Sequence, residues 1–205
     1  MALPVVHLIT DRRLARDLPA RLDRALGGLP PGLVAVHLRE KELGGAALLE
    51  LARRLLAAVR AHAQRLVIND RVDVALAAGA DGVHLPSAGL PPEVVRGLLG
   101  PGALVGVSCH SADDVRRARD GGASFATFGP VWDTPSKRRF GAPVGLPALA
   151  AGTTLGLPLV ALGGVTPDNA RLAREAGAAG VGVIRAWLEG PDPAAVVRRL
   201  AGLAP

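Results

Sequence analysis

One stretch decides the fold, and it reads RLVINDRVDVALAAGADGVHL from residue 65 to residue 85. It opens with an apolar run at 65–69 and closes with a second short run at 81–85. Between them, residues 71–78 are rich in Ala and Val with helical spacing, and Gly79 follows as a helix-ending glycine. The stretch therefore predicts a strand, a helix and a second strand, the unit from which parallel sheets are built.

The same alternation runs along the rest of the chain. Further strands are predicted at 4–9, 33–38, 103–108, 124–129, 157–162 and 179–184. Further helices are predicted at 17–28, 44–63, 91–99, 111–120, 146–152, 167–176 and 192–202. Most of the strands are continuous apolar runs, as in a parallel sheet covered by helices. Eight such units in one modest chain predict an α/β fold, a (β/α)8 TIM barrel that forms a single domain over residues 1–205.

Composition excludes several classes of protein. Apolar residues make up 49% of the chain, which is enough for a core and excludes wholesale disorder. The single cysteine, Cys109, excludes an intramolecular disulfide framework and a multi-cysteine zinc site. No apolar run approaches the length of a membrane span, and the opening MALPVVHLITDRR lacks the basic lead of a secretory signal. We therefore expect a cytoplasmic protein with no membrane partner.

The net charge is +6, and the basic residues are 22 arginines and 2 lysines. A basic balance can indicate nucleic-acid binding. However, the arginines are scattered over predicted helix faces, and aromatic residues make up only 2% of the chain, so bases would find no stacking platform. Solvated helix faces explain the charge better, and we expect no nucleic-acid partner. Both lysines, Lys41 and Lys137, fall in loops.

Functional residues are expected at the carboxyl ends of the strands, because the βα loops of a TIM barrel meet there. After the second strand, a period of two puts His37, Arg39 and Lys41 on one face. Two cations and an imidazole suit a phosphorylated ligand, and a solvated charge run is the alternative. After the third strand, Asn69 could bond a heterocycle and Asp70 could ligate Mg²⁺. Alternatively, these two residues cap the next helix.

The fifth strand ends in a candidate acid–base residue. If the strand continues that far, Ser108 and His110 share a face, and a histidine at a barrel mouth can transfer protons near neutral pH. The alternative for His110 is a neutral ring bonded to a nearby turn. Cys109 points to the opposite face and is predicted to pack rather than react. The preceding loop, PSAG at 86–89, offers no carboxylate.

The longest loop, residues 129–141, follows the sixth strand and has the length of a lid or binding loop. Its Thr134, Ser136 and Lys137 offer hydroxyl and ammonium donors to a phosphate or carboxylate, unless the loop is simply basic and exposed.

Glycines follow the seventh strand. Gly163 and Gly164 allow close approach of the backbone, and backbone N–H groups after strands seven and eight often hold a phosphate in this fold. The eighth strand ends at Ile184 and Arg185. A tight βα turn is the alternative explanation for the Gly-Gly pair.

Seven segments together resemble the successive motifs of the thiamine phosphate synthase superfamily. They are HLITD (7–11), HLREK (37–41), INDRVDVALAAGADGVHL (68–85), GVSCHS (106–111), FGPVWDTPSK (128–137), ALGGV (161–165) and GVGVI (180–184). The resemblance spans nearly the whole chain in order. It implies a TIM barrel that forms a homodimer and one of two activities. A synthase joins a pyrimidine methyl diphosphate to a thiazole phosphate with Mg²⁺ and releases diphosphate. A thiazole tautomerase rearranges a thiazole phosphate carboxylate by proton transfer.

The resemblance also implies roles for single residues. Carried over from the synthase pattern, the pyrimidine diphosphate is bound by Arg39, Lys41, Asn69, Ser108 and Lys137. Asp70 becomes a Mg²⁺ ligand. The thiazole phosphate is bound by Thr134, Ser136, Gly164, Ile184 and Arg185. His37 stands where a glutamine is usual, and Arg185, where a serine is usual, adds a cation beside the phosphate.

Two features favour the tautomerase. A second metal carboxylate is expected at position 89, where this sequence has Gly89, and a Mg²⁺–diphosphate site usually draws on carboxylates. His110 matches the proton-transferring histidine of the tautomerases, although some synthases share it. We therefore expect a thiazole tautomerase, an isomerase that needs no cofactor, with His110 as its catalytic residue. The alternatives are a thiamine phosphate synthase, a transferase that uses Mg²⁺, and a non-catalytic protein that binds thiamine-pathway phosphates.

Overall fold

The structure is a computed structural model that describes residues 2–15, 17–135, 138 and 141–204. Eight parallel strands close into a barrel in chain order. They are β1 Val6–Ile9, β2 Val34–Leu38, β3 Arg65–Asn69, β4 Gly82–Leu85, β5 Leu104–Cys109, β6 Phe125–Phe128, β7 Leu159–Leu162 and β8 Gly180–Val183. Because β1 pairs with both β2 and β8, the sheet has no free edge. The predicted (β/α)8 barrel is confirmed, and the assignment of all of residues 1–205 to one domain stays a prediction.

Helices follow the strands around the outside of the barrel. They are α1 Leu18–Leu26, α2 Gly45–Ala61, α3 Val72–Ala78, α4 Pro92–Leu99, α5 Ala112–Asp120, α6 Gly145–Thr153, α7 Ala170–Glu175, α8 Arg185–Glu189 and α9 Pro193–Ala201. The short α8 was not predicted, because five residues carry too little periodicity to indicate a helix. The α7 helix begins three residues later than predicted, since residues 167–169 first form a turn.

Local signals explain where helices begin. Ser111 caps α5: its hydroxyl accepts from the Asp114 N–H at 3.2 Å, and the Asp114 carboxylate accepts from the Ser111 N–H at 2.9 Å. This reciprocal pair satisfies two N–H groups that the first helical turn leaves without partners. The Asp17 and Asp192 carboxylates cap α1 and α9 by accepting from the N–H groups of Ala20 and Ala195, and each helix has a proline in its first turn.

Apolar side chains form two layers, one outside the barrel and one inside. Outward-facing strand residues such as Val36 and Leu66 pack against helix residues such as Leu22 and Leu55. The barrel interior holds a separate cluster of Ala35, Val67, Leu104, Phe125 and Val160. Gly106 makes room for this cluster, because a Cβ there would lie 2.3 Å from the Phe125 ring. Within the described ranges, no helix is both long and apolar enough to cross a membrane.

Candidate active site

Strand register fixes the height of each inward-facing side chain, because alternate strands contribute the four members of each interior layer. Following the Cα pairs round the barrel, one layer contains His7, Val67, Gly106 and Val160. The next layer toward the carboxyl ends contains His37, His84, Thr127 and Gly182. Above it lie Ile9, Asn69, Ser108 and Leu162. Asn69 and Ser108 therefore line the mouth of the barrel, and the second layer forms its floor.

Three buried histidines contact one another at and beneath this floor. The His37 Nε2 lies 2.8 Å from the His7 Nδ1, and the His84 Nε2 lies 3.0 Å from the Thr127 hydroxyl. The His37 ring centre is 5.2 Å from that of His84. Burial lowers the pKa of His7 to about 4, lowers the pKa of His84 to about 3, and holds the pKa of His37 well below its usual value. All three rings are therefore neutral at pH 7.

His37 faces inward as the alternation predicted, but it lies deeper than Arg39 and Lys41. Arg39 is half-buried just above the mouth layer, and Lys41 is exposed. Burial is the main cause of the low pKa of His84, and the charges of His7 and Arg39 contribute to it. Of the three predicted residues, His37 thus belongs to the floor, Arg39 to the mouth and Lys41 to the outer rim.

Glu40, which sequence reasoning missed, anchors this region. Its buried carboxylate accepts from the Thr10 hydroxyl at 2.5 Å and from the Arg12 N–H at 3.1 Å. The Thr10 hydroxyl in turn accepts from the Arg39 N–H at 2.9 Å. Burial raises the pKa of Glu40, the largest effect on that group. These bonds tie the loop after β1 to the loop after β2 and fix the backbone that carries Arg39.

Asn69 is the last residue of β3 and Asp70 follows it, and neither side chain caps the next helix. Asp70 has a left-handed backbone with φ of +66°, uncommon outside glycine. Its N–H donates to the His84 carbonyl at 2.9 Å. Neither side chain makes a hydrogen bond to any described residue, and α3 begins at Val72 with Arg71 at its N-cap position and no side-chain cap. The capping alternative is therefore not what the structure shows, and both side chains remain available at the mouth.

The donor set fits one mode of Mg²⁺ binding. Gly89 supplies no carboxylate, and its N–H closes a turn onto the Pro86 carbonyl at 2.9 Å. Among the described residues no group of three or more His, Cys, Asp or Glu side chains is arranged around a metal position. Mg²⁺ usually keeps several waters and takes one or two carboxylates together with substrate phosphates. Asp70 alone therefore fits a Mg²⁺ that arrives with a diphosphate, but not a resident metal held by protein alone.

The end of β5 separates three neighbouring side chains. Ser108 is half-buried on the inner face, and Cys109 is buried on the outer face, where burial raises the pKa of its thiol to about 12. The thiol is thus a packing group, as predicted. His110 donates from Nδ1 to the Gly129 carbonyl at 2.6 Å, because a carbonyl oxygen can only accept. This is the turn-bonded arrangement that the sequence left open for His110.

The loop after β6 runs beside the end of β7. The Val131 N–H donates to the Leu162 carbonyl at 2.9 Å, and the Trp132 N–H donates to the Gly163 carbonyl at 3.0 Å. Gly164 has a φ of +67°, and a Cβ on it would lie 2.6 Å from the Trp132 Cβ. The glycine is therefore required both by its backbone angle and by the close approach of this loop.

Contacts of the β7–α7 turn fix the directions of two backbone N–H groups, those of Gly164 and Val165. The Gly164 carbonyl accepts from the Asn169 Nδ2 at 2.9 Å, as the Gly163 carbonyl does from Trp132. In a planar trans peptide the N–H points opposite to the C=O. The Gly164 N–H therefore points away from the β6 loop, and the Val165 N–H points away from the start of α7. No carbonyl in the described residues accepts from either group. Backbone donors left without acceptors in this way are suited to an anion.

The start of α8 lies beside these donors, because β7 and β8 are adjacent. The buried Trp187 fixes the helix at the mouth, since its Nε1 donates to the Ile9 carbonyl at 3.0 Å. Ile184 is half-buried at the helix start, and Arg185 is exposed with no partner among the described side chains. The first N–H groups of a helix have no intrahelical acceptors.

The remaining predicted residues belong to the loop after β6. Thr134 is half-buried and its hydroxyl makes no hydrogen bond to the described residues. Ser136 and Lys137 lie outside the described residues. On either side of them, Arg138 pairs with Asp133, with Nη2 and Oδ2 2.6 Å apart.

Comparison with known proteins decides the family. A family model described as thiamine monophosphate synthase matches residues 6–187. The chain belongs to this family. It is 50% identical over 203 residues to a putative thiamine-phosphate synthase of Geobacter sulfurreducens, covering 98% of this chain and 94% of the relative. It is 39% identical over 201 residues to a thiamine-phosphate synthase of Roseiflexus castenholzii, covering 98% and 88%.

A solved structure agrees with this assignment. The thiamine phosphate pyrophosphorylase of Pyrococcus furiosus superposes with a TM-score of 0.85 and 31% sequence identity, covering 97% of this chain and 94% of that one. Both the sequence and the fold of this chain are thus similar to those of synthases of this family.

The expectation of a thiazole tautomerase, an isomerase, is therefore wrong. The relatives named here carry the synthase name, at identities of 39% and 50% over nearly their full length. The absence of a carboxylate at position 89 does not exclude diphosphate chemistry, because Mg²⁺ can be bound through one carboxylate together with substrate phosphate oxygens. His110 could not discriminate, and its Nδ1 is engaged by the Gly129 carbonyl.

Proposed function

We propose that this chain is a thiamine-phosphate synthase that couples a pyrimidine methyl diphosphate to a thiazole phosphate and releases diphosphate. One observation supports the proposal most: groups suited to phosphate, either directly or through Mg²⁺, lie on opposite sides of the mouth. Arg39 and Asp70 follow β2 and β3, and the Gly164 donors follow β7, four strands from β3 in an eight-stranded barrel. A reaction that joins two phosphorylated molecules needs two such subsites facing one another.

The subsite after β2 and β3 suits the diphosphate. Arg39 and Lys41 supply positive charge to its oxygens, and Asp70 would hold Mg²⁺ against the same oxygens. Asn69 and Ser108, one layer down, have free polar atoms at the height where the attached ring would lie. His37 and His84 close this subsite from below.

The subsite after β7 and β8 suits a phosphate monoester. The Gly164 and Val165 N–H groups and the first N–H groups of α8 supply donors of fixed direction, and Arg185 adds a charge at the rim. Thr134 stands on the neighbouring loop, and Ser136 and Lys137 stay predicted contacts of the thiazole phosphate and of the diphosphate.

The chemistry follows from this placement. A bond forms between the thiazole ring and the methylene carbon of the pyrimidine, while the bond from that carbon to a diphosphate oxygen breaks. When bound, Mg²⁺ neutralises charge on the leaving diphosphate. Arg39 stabilises the same developing charge, and the two phosphate subsites hold the reacting atoms in line, so that positioning supplies much of the rate enhancement.

The test incubates the protein with both substrates and Mg²⁺ and measures released diphosphate and thiamine phosphate in parallel. We expect equal amounts of both products, and none when either substrate is omitted. Ligand-induced thermal stabilisation without product would instead indicate the non-catalytic binding protein. The absence of both product and stabilisation would reject the proposal. We also propose the homodimer that the family resemblance implies. Sedimentation equilibrium checks it, and a monomer at micromolar concentration would contradict it.

A further inference from the structure

Exposed apolar side chains are concentrated on one outer face of the barrel. Among the residues that the structure describes, five large apolar side chains are more than a third exposed. Four of them, each about half exposed, belong to α3, to α4 or to the loop before α4: Leu76, Leu90, Val94 and Leu98. The fifth, Leu172, lies alone on α7. A single exposed apolar residue is ordinary, whereas a group of them marks a contact surface.

The contacts of α4 show which way its side chains point. Val95 is fully buried and faces the barrel. The Arg96 guanidinium donates to the Gly122 carbonyl at 3.1 Å, so the flank that carries Arg96 faces the end of α5. Successive residues of a helix are about 100° apart. Val94 and Leu98 therefore lie on the opposite flank of α4, toward α3.

Leu76 lies on the other side of the same groove. The helices α3 and α4 run in the same direction, because each follows a strand of one parallel sheet. Leu76 follows the buried Ala75 just as Arg96 follows the buried Val95, so Leu76 lies on the flank of α3 that faces α4. Both helices thus present apolar side chains to the groove between them. Leu76, Leu90, Val94 and Leu98 together form what we call the α3–α4 face.

Charged side chains avoid the α3–α4 face. The chain has 24 basic and 18 acidic residues, but residues 74–107 contain three of them, Asp81, Glu93 and Arg96. The Asp81 Oδ1 accepts from the Arg65 Nη1 at 3.0 Å, away from α4. A Cβ on Gly121 would lie 2.8 Å from the Glu93 Oε2, so Glu93, like Arg96, lies on the side of α5. The face is therefore uncharged on a chain that is otherwise rich in charge.

This distribution of charge favours a second copy of the chain as the occupant. Each copy has a net charge of +6, so two copies repel one another unless the surfaces that meet carry no cations. The α3–α4 face meets that condition. An acidic partner would instead be attracted to the arginines, which lie elsewhere on the surface.

The spacing of the apolar residues suits a two-fold axis. Leu90, Val94 and Leu98 are four positions apart, so they form one row that runs along α4 and extends just beyond its start. Rows with this spacing interlock when two helices cross at about 50°. In a two-fold dimer the same patch serves both copies. An axis beside Val94, the middle of the row, sets Leu90 of each copy against Leu98 of the other.

We propose that the α3–α4 face is the surface through which two copies of this chain form a symmetric dimer, with the two α4 helices crossing at Val94. The inference rests on the homodimer proposed together with the function, and it does not depend on the reaction.

The first experiment measures the dimer dissociation constant by sedimentation equilibrium. Val94→Glu brings two carboxylates together at the axis, and like charges in an interface are strongly unfavourable. We expect its dissociation constant to rise at least about 100-fold, with the far-ultraviolet circular dichroism unchanged. The matched control is Leu172→Glu, the same change at the exposed leucine of α7, which should dimerise like the wild type.

Mixing two variants tests the symmetry. Val94→Lys alone should also dissociate, because two ammonium groups then meet at the axis. An equimolar mixture of Val94→Glu and Val94→Lys should form a heterodimer, since opposite charges face each other. A mixture that stays monomeric would contradict an axis at Val94.

The second experiment does not depend on a destabilising change. Val94→Cys replaces one small apolar side chain with another, and the native Cys109 is buried. Two thiols beside a two-fold axis lie within the Cα separation of about 7 Å that a disulfide spans. We expect mild oxidation to give a covalent dimer of Val94→Cys and none of Leu172→Cys.

The homodimer and its surface fail separately. A wild type that stays monomeric at every concentration would overturn both. A wild-type dimer that Val94→Glu leaves intact, or that Val94→Cys does not cross-link, would overturn the α3–α4 face and keep the homodimer. Release of diphosphate is measured independently of either result.

Discussion

At the scale of single residues, the proposed Mg²⁺ dependence is tested at Asp70. Asp70→Asn keeps the shape and tolerates the left-handed backbone, but it removes the charge that faces the cation. A lost ligand interaction of about 1.4–3 kcal/mol should raise the half-saturating Mg²⁺ concentration roughly 10- to 100-fold. Diphosphate release, titrated with Mg²⁺, measures this change. The control is Asp73→Asn, an exposed carboxylate on α3 that pairs with Arg71; an equal effect in both variants would contradict the role of Asp70.

Asn169 is the residue that should control affinity for the second substrate. In Asn169→Asp, one oxygen can still accept from the Thr166 N–H at 2.8 Å, but the donor to the Gly164 carbonyl is gone. The peptide that aims the Val165 N–H is then free to rotate, and the lost bond contributes about 1 kcal/mol. We expect the KM for thiazole phosphate to rise several-fold with the KM for the pyrimidine unchanged. The neighbouring Asp168→Asn is the control, and a rise in both KM values would indicate general damage instead.

The residues at the strand ends could be predicted from the sequence, and their partners could not. Arg39, Asn69 and Ser108 follow visible apolar runs, so their place at the mouth depends only on where a strand ends. His7 and His37 meet because adjacent barrel strands bring together positions thirty residues apart. That contact depends on strand register, which a single sequence does not display. Whether these residues bind the substrates stays a prediction.

At the scale of elements, the eight strands lie within two residues of their predicted bounds. They are short, continuous apolar runs between glycine-rich or polar loops, the strongest signal for a buried parallel strand. The short α8 lacked such a signal, and α7 began late because a Thr-Pro pair can start a turn as well as a helix. A tertiary contact, the bond from Trp187 to Ile9, holds α8, whereas local bonds from Asn169 to Thr166 and Gly164 hold the turn before α7.

The turn between β7 and α7 gives a prediction at this scale, with a matched control in the chain. Gly164 and Gly79 share nearly the same φ, +67° and +68°. A Cβ at Gly79 meets nothing within 4 Å, whereas one at Gly164 would clash with Trp132 and the Asp133 carbonyl. Gly79→Ala should therefore cost only the backbone strain of about 1–2 kcal/mol. Gly164→Ala should cost more and also weaken thiazole phosphate binding; chemical denaturation and calorimetry measure the two quantities, and equal losses would contradict this account.

At the scale of the whole molecule, the three interior histidines make stability depend on acid. Each is neutral in the folded barrel, with a pKa lowered to about 4 for His7 and about 3 for His84. In the unfolded chain each titrates near its ordinary value of about 6.5. Below that value the histidines bind protons in the unfolded chain but not in the folded barrel. The free energy of unfolding therefore falls as the pH falls toward 4. Above about pH 7 both states are neutral and this contribution is constant.

The slope of this dependence is the measurable quantity. Each histidine contributes about 1.4 kcal/mol per pH unit once the unfolded chain is protonated, so three should contribute about 4 kcal/mol per unit near pH 5. His7→Phe removes one of them and should reduce the slope by about a third. Val160→Ala shortens an interior side chain without removing a titrating group, so it should lower the free energy of unfolding at every pH and leave the slope unchanged. Urea denaturation at several pH values between 4.5 and 8 separates the two variants. Equal slopes in His7→Phe and the wild type would mean that the buried His7 ring takes up a proton in the folded barrel, which would contradict this account.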